Sequence, residues 1–138
     1  MSAAENKRIM QDIFAERAKG NGAPFRAAMA DDMSWTIIGT TKWSKTYRGK
    51  EAILTELLRP LFAQFADEYT STAHRIIAED DIVVVETRGR VTTKSGKPYH
   101  NTYCFVMRMV DGRIVELTEY CDTALVESAL EAPVVERT

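Results

Sequence analysis

The chain has 138 residues, a formal net charge of -2, and 45% hydrophobic and 28% charged residues. That length fits one domain with one core, and the composition is that of a folded globular protein rather than a disordered or fibrous one. It leaves no electrostatic footprint for nucleic acid, and the longest strongly apolar run, Ile82 to Val85, falls far short of the roughly 20 residues a membrane span needs.

From Asn6 to Lys19 the apolar residues Ile9, Met10, Ile13, Phe14 and Ala18 recur at three- and four-residue steps, which predicts an amphipathic helix ended by Gly20-Asn21-Gly22. Pro24 suits the first turn of a second, short helix with Phe25, Ala28 and Met29 inward, closed by Asp31-Asp32. The stretch "MSWTIIG" reads as a strand with Trp35 and Ile37 on one face, and "KTYRG" as its short partner. Trp43, in the polar loop between them, is expected as a lid or an interface residue. The longest helix is expected from Gly49, with an inward stripe of Ile53, Leu54, Leu57, Leu58, Leu61, Phe62 and Phe65 and a kink or break at Pro60.

After Asp67 the period changes to two. "YTSTAHRIIAE", "DIVVVETRGRVTT", "PYHNTYCFVMRMV" and "RIVELTEYCD" read as successive strands, the last pair joined by Asp111-Gly112, a strong hairpin signal. Thr123 to Leu130 predicts a closing helix, and Ala132 to Thr138 a loose tail around a core of about residues 6–130. Helices followed by a run of antiparallel strands define an α+β domain, with the helices covering one face of a curved sheet and leaving a cone-shaped cavity.

The order helix, helix, "ADDMSW", "RGKEAI", then long strands ending in "DGRIVELTEYCD" resembles the NTF2-like superfamily, in particular its SnoaL-like, ketosteroid-isomerase-like and limonene-epoxide-hydrolase-like members. The resemblance implies the cone fold over most of the chain, and a scaffold that hosts isomerases, hydrolases, cyclases and proteins that only bind. The positions matching the two isomerase acids are near Ile37 and Phe105, both apolar. Against the epoxide-hydrolase pattern, Arg88 matches the arginine and Glu119 the last-strand acid, while Arg90 stands where the middle aspartate belongs.

In that register the concave face collects Glu86, Arg88 and Arg90, then Asn101, Tyr103, Phe105 and Met107, then Leu117, Glu119 and Cys121. Trp35, Ile37 and Leu57 complete the walls. This is an apolar pocket with a small polar cluster, suited to a small apolar or mixed-polarity metabolite. Two readings follow. In one, Glu119 is an acid-base catalyst held by Arg88 and assisted by Tyr103 and Asn101. In the other, Glu119 and Arg88 form an ion pair, structural or ligand-recognising, in a non-catalytic binding module with the same pocket.

His74 and His100 are isolated, no cysteine or histidine pair has metal-ligand spacing, and no phosphate loop or dinucleotide fingerprint occurs, so neither metal nor cofactor is expected. Cys104 and Cys121 fall on opposite strand parities, which argues against a disulfide and suits a cytoplasmic protein. An outer sheet face carrying Cys104, Val106, Val83 and Val85 predicts a homodimer packed sheet to sheet.

Overall fold

The computed structural model describes residues 1–135. Helix α1 (Ala3–Arg17) starts at a capping box in which the Ser2 hydroxyl accepts from the Glu5 amide and the Ser2 amide donates to the Glu5 carboxylate. Helix α2 (Ala23–Ala28) follows with its proline in the first turn. Strand β1 (Met29–Ile37) then runs directly on, so Asp31 and Asp32 lie inside the strand rather than closing the helix. A register irregularity between Met29 and Ser34 lets both aspartates face water while Met29, Met33, Trp35 and Ile37 remain buried.

Strand β2 (Thr46–Arg48) pairs with β1 as expected. The segment after Gly49 is shorter than α1 and changes its winding: α3 (Lys50–Ala52), a π-helical stretch (Ile53–Leu58) and α4 (Arg59–Phe62). Pro60 has no N–H to give the preceding turn, and the chain answers by widening rather than breaking; the Arg59 amide donates to the Leu54 carbonyl, five residues back. This turns Leu57, Leu58 and Leu61 toward the sheet and leaves Phe62 half outside.

Strands β3 (Thr70–Glu79), β4 (Ile82–Arg90), β5 (Thr102–Val110) and β6 (Arg113–Cys121) complete a six-stranded sheet in the order β2-β1-β6-β5-β4-β3, antiparallel throughout except for the β1–β6 pair. Asp111 and Gly112 both take positive φ, as their tight hairpin requires. Helix α5 (Thr123–Ala129) is capped by Asp122, whose carboxylate accepts from the Ala124 and Leu125 amides. Of the tail expected at Ala132–Thr138, residues 132–135 have no regular structure and 136–138 lie outside the described residues.

The faces of β4 are the reverse of the expectation. Val83, Val85 and Thr87 sit opposite Met107, Phe105 and Tyr103, and residues directly opposite on paired strands share a face, so all six point into the core. Glu86, Arg88 and Arg90 therefore project from the convex side. A landmark count one residue out of phase inverts every side chain of a strand. The outer face carries Cys104 and Val106 as expected, but with Val84 in place of Val83 and Val85.

Candidate functional site

Glu119 lies on the concave face of β6, 7% exposed, between the fully buried Leu117 and the half-buried Cys121. Its Oε1 accepts a hydrogen bond of 3.2 Å from the Trp35 indole N–H, which the parallel β1–β6 register brings alongside. Burial drives the Glu119 carboxyl up to a pKa of about 7, against hydrogen bonds from Trp35 and Cys121 and the more distant positive charge of Arg17. At neutral pH it is divided between acid and base. The Cys121 thiol beside it is pushed up to about 12, by burial first and then by Glu119.

Glu119, Trp35, Ile37, Leu57, Tyr103 and Phe105 line one cavity, together with Trp43, Leu58, Leu61, Phe62, Val126 and Leu130. Its volume is ≈ 40 Å³, and Leu58 and Phe62 also border a groove on the surface, so groove and cavity adjoin across the π-helical segment and α4. Trp43 is buried and tied down, its indole N–H donating to the Glu131 carbonyl at 2.9 Å, so it is a fixed wall rather than an interface residue.

Three tyrosines form the polar side. The Tyr103 hydroxyl donates to that of Tyr99 at 3.2 Å, and the Asn101 amide donates both to the Tyr99 hydroxyl and to the Asp122 carbonyl, each at 3.2 Å. Tyr69 faces the same space, admitted by Gly89, where a Cβ would stand 2.6 Å from the Tyr69 hydroxyl. Burial pushes the hydroxyls of Tyr69, Tyr99 and Tyr103 up, so all three remain protonated donors at neutral pH.

Asn101, Met107 and Leu117 are buried behind this lining rather than in it. Glu86, Arg88 and Arg90 are on the other side of the sheet and are not site residues; Arg88 and Arg90 border a shallow surface hollow with Thr72 and His74. His74 is the extra residue of a bulge in β3 and is exposed, while His100 also points outward, its Nδ1 accepting from the Val91 amide at 3.3 Å. The cation that reaches the cavity is Arg17, from α1, with its guanidinium carbon 4.6 Å from the Phe25 ring centroid and 5.2 Å from that of Phe14. It occupies the helical position expected to be continued by Ala18, which is exposed. A cation three and four residues beyond Phe14 and Ile13, on the buried stripe, was the available signal.

Among the described residues no group of three or more His, Cys, Asp or Glu is placed to hold a metal ion, and no helix is long and apolar enough to cross a membrane. Helices roofing a curved six-stranded sheet over an aromatic cavity define the class: an α+β protein of NTF2-like cone fold. The SnoaL-like domain profile matches residues 10–117, and the chain belongs to that family. Among solved structures it is similar to a protein from Jannaschia sp. CCS1 assigned as a SnoaL-like polyketide cyclase (18% identity, 96% of this chain and 95% of that one, TM-score 0.75). It also resembles an NTF2-like protein from Burkholderia thailandensis E264 (26% identity, 91% and 97%, TM-score 0.77) and an LEH-like epoxide hydrolase from M. tuberculosis (22% identity, 93% and 90%, TM-score 0.69). A comparison with curated proteins finds no match.

Proposed function

We propose that this SnoaL-like protein performs acid-base chemistry of the isomerase, hydrolase or cyclase type on a small, mostly apolar metabolite, with Glu119 moving the proton. The observation that carries the reading is a carboxyl group buried in an aromatic cavity, with one hydrogen bond from Trp35 and a proton affinity matched to neutral pH. Tyr103, a neutral hydroxyl on the same wall, is suited to hold a carbonyl or hydroxyl oxygen against developing negative charge once its O–H turns from Tyr99 to the ligand. Arg88 is on the opposite side of the sheet, and the positive charge that acts on Glu119 is that of Arg17, which lowers its proton affinity from a distance without pairing with it.

The test is exchange of protons α to a carbonyl, followed by NMR in heavy water over a panel of small ketones and β-keto esters. The wild-type rate rises as pH passes about 7, where Glu119 becomes the free base. Glu119→Gln lowers the rate by about 10²- to 10⁴-fold while leaving the fold intact. Equal rates in the two proteins refute the proposal.

A second reading, a binding module without chemistry, is favoured by one feature: Glu119 is the sole carboxylate among the lining residues, so a water has no second carboxylate to flank it. It predicts ligand binding with no exchange by either protein. We extend the proposal to a cytoplasmic protein that pairs through its convex face. There Ile77 and Tyr120 are exposed and Val84 and Val106 half-buried, and sedimentation velocity reads the oligomeric state directly.

A further inference from the structure

Arg17 has no counterpart for its charge. Among the described residues it forms no ion pair, and its Nη1 is shut off from solvent without a hydrogen-bond partner. Its guanidinium instead lies over the rings of Phe14, Phe25 and Tyr69, which offer Nη1 no hydrogen-bond acceptor in their plane. Arginine stays charged in proteins, and a buried donor of that charge left unpaired is strongly disfavoured unless something supplies an acceptor. Glu119 is a weak candidate, since burial keeps it half protonated at neutral pH.

A second feature converges on the same chemistry. The surface groove that shares Leu58 and Phe62 with the cavity is lined by these two and Leu54, together with two further cations, Arg26 and Arg59. A ligand entering there passes a basic rim before it meets the apolar interior.

We infer that the ligand of this cavity is a small, largely apolar carboxylate, drawn in between Arg26 and Arg59 and held inside by the unpartnered Nη1 of Arg17. This names the substrate class of the site proposed above and rests on that site, but not on Glu119 being catalytic. The carboxylate accepts from Arg17, and the hydroxyls of Tyr69 and Tyr103 stand on the same side of the cavity. Its hydrocarbon part lies against Leu57, Leu61 and Phe105.

A pH signature follows. A bound anion disfavours a second negative charge nearby, so binding holds the proton on Glu119. Besides Glu119, the titratable or charged groups lining this space are Arg17, Tyr69, Tyr99 and Tyr103, while Arg26 acts on Arg17 from α2, Tyr47 on β2 feels Glu119, and Cys121 lies beside Glu119 with Asp122 behind it. The tyrosines and Cys121 are pushed upward and stay neutral, so Glu119 is the group that titrates here near neutrality. Carboxylate affinity therefore falls as pH rises above about 7.

The experiment compares butyrate, hexanoate and benzoate with their neutral amides. The readout is the fluorescence of Trp35 and Trp43, which are the chain's two tryptophans and both line the cavity. The expected result is that at least one acid binds wild type about tenfold or more tighter than its amide near pH 6. In Arg17→Met that preference collapses, and in Glu119→Gln it persists without its pH dependence. Amides that bind as well as acids, a preference that survives Arg17→Met, or no binding by any acid at millimolar concentration overturns the inference. Should Arg17→Met fail to fold, the wild-type acid and amide pairs and the Glu119→Gln pH profile decide it alone. Because these probes need no turnover, failure of the proton-exchange assay leaves this outcome untouched, and the reverse also holds.

Discussion

Between the sheet and its helices, the Glu119 carboxylate and the Nη1 of Arg17 are buried without forming an ion pair, whereas on the convex face the same two groups meet in the open. Arg75 pairs with Glu86 and Arg108 with Glu116, and all four side chains retain substantial exposure. Water and neighbours satisfy the outer groups, as on any solvated surface. Inside, the same chemistry is displaced from its usual behaviour: Glu119 keeps its proton to neutral pH and Arg17 keeps an unused donor. The lesson is that reactivity in this fold comes from which side of the sheet a residue faces, not from which residues the strands contain.

The sharpest way to break that contrast is to truncate two adjacent residues of β5. Phe105 is buried against Phe14, Trp35 and Tyr103, so Phe105→Ala loses about 3–5 kcal/mol of stability in urea unfolding. Its neighbour Val106 faces out and is half-buried, and Val106→Ala loses less than about 1 kcal/mol. Similar losses at the two positions mean that the faces are not distinguished by burial as described.

Next in size is the pH dependence carried by Glu119. Its folded-state pKa of about 7 lies above the ordinary 4.5, so the folded chain binds the proton more tightly than the unfolded one. The associated stability is complete below 4.5 and is lost as pH rises to about 7, above which the curve is flat. At about 1.4 kcal/mol for each tenfold in proton affinity, the loss is about 3 kcal/mol. Glu119→Gln removes this slope and is more stable than wild type at about pH 8, by about 1–3 kcal/mol in urea unfolding. A parallel pair of stability curves contradicts the buried, unpaired state of Glu119. A convex-face control, Glu116→Gln, leaves the wild-type slope in place.

The architecture was legible because it is written in periods and turns: the spacing of Ile9, Met10, Ile13 and Phe14, the alternation of the later strands, and Asp111-Gly112 between the last two. Half of the site was legible for the same reason, since alternation along β6 fixes Glu119 inward with Leu117. The other half was misplaced although β4 carries a signal for it: Val83, Val85, Thr87 and Gly89 form an uncharged phase and Glu86, Arg88 and Arg90 a charged one, and matching Arg88 to a family arginine turned the charged phase inward, whereas the pairing of Thr87 with Tyr103 places the uncharged phase there. Arg17 was obscured by its type, because a cation at the end of a helix ordinarily reaches water. The π-helical widening at Pro60 had a local cause, yet its outcome depended on what the sheet below would accommodate.

The smallest effect tests the outer half of the contrast. Arg75 and Glu86 sit on neighbouring strands at the β3 bulge, with the arginine more exposed than the glutamate. High dielectric and mobile ions weaken such a pair, and fixing two long side chains opposes it further. A double-mutant cycle through Arg75→Ala and Glu86→Ala gives a coupling of about 0.2–1 kcal/mol that fades in about 1 M salt. A coupling well above that, or one indifferent to salt, means that the convex face is sheltered from water, as a second copy of the chain packed against it would make it. The same cycle therefore measures whether the outer surface is solvated in solution, using residues remote from the cavity and its ligand.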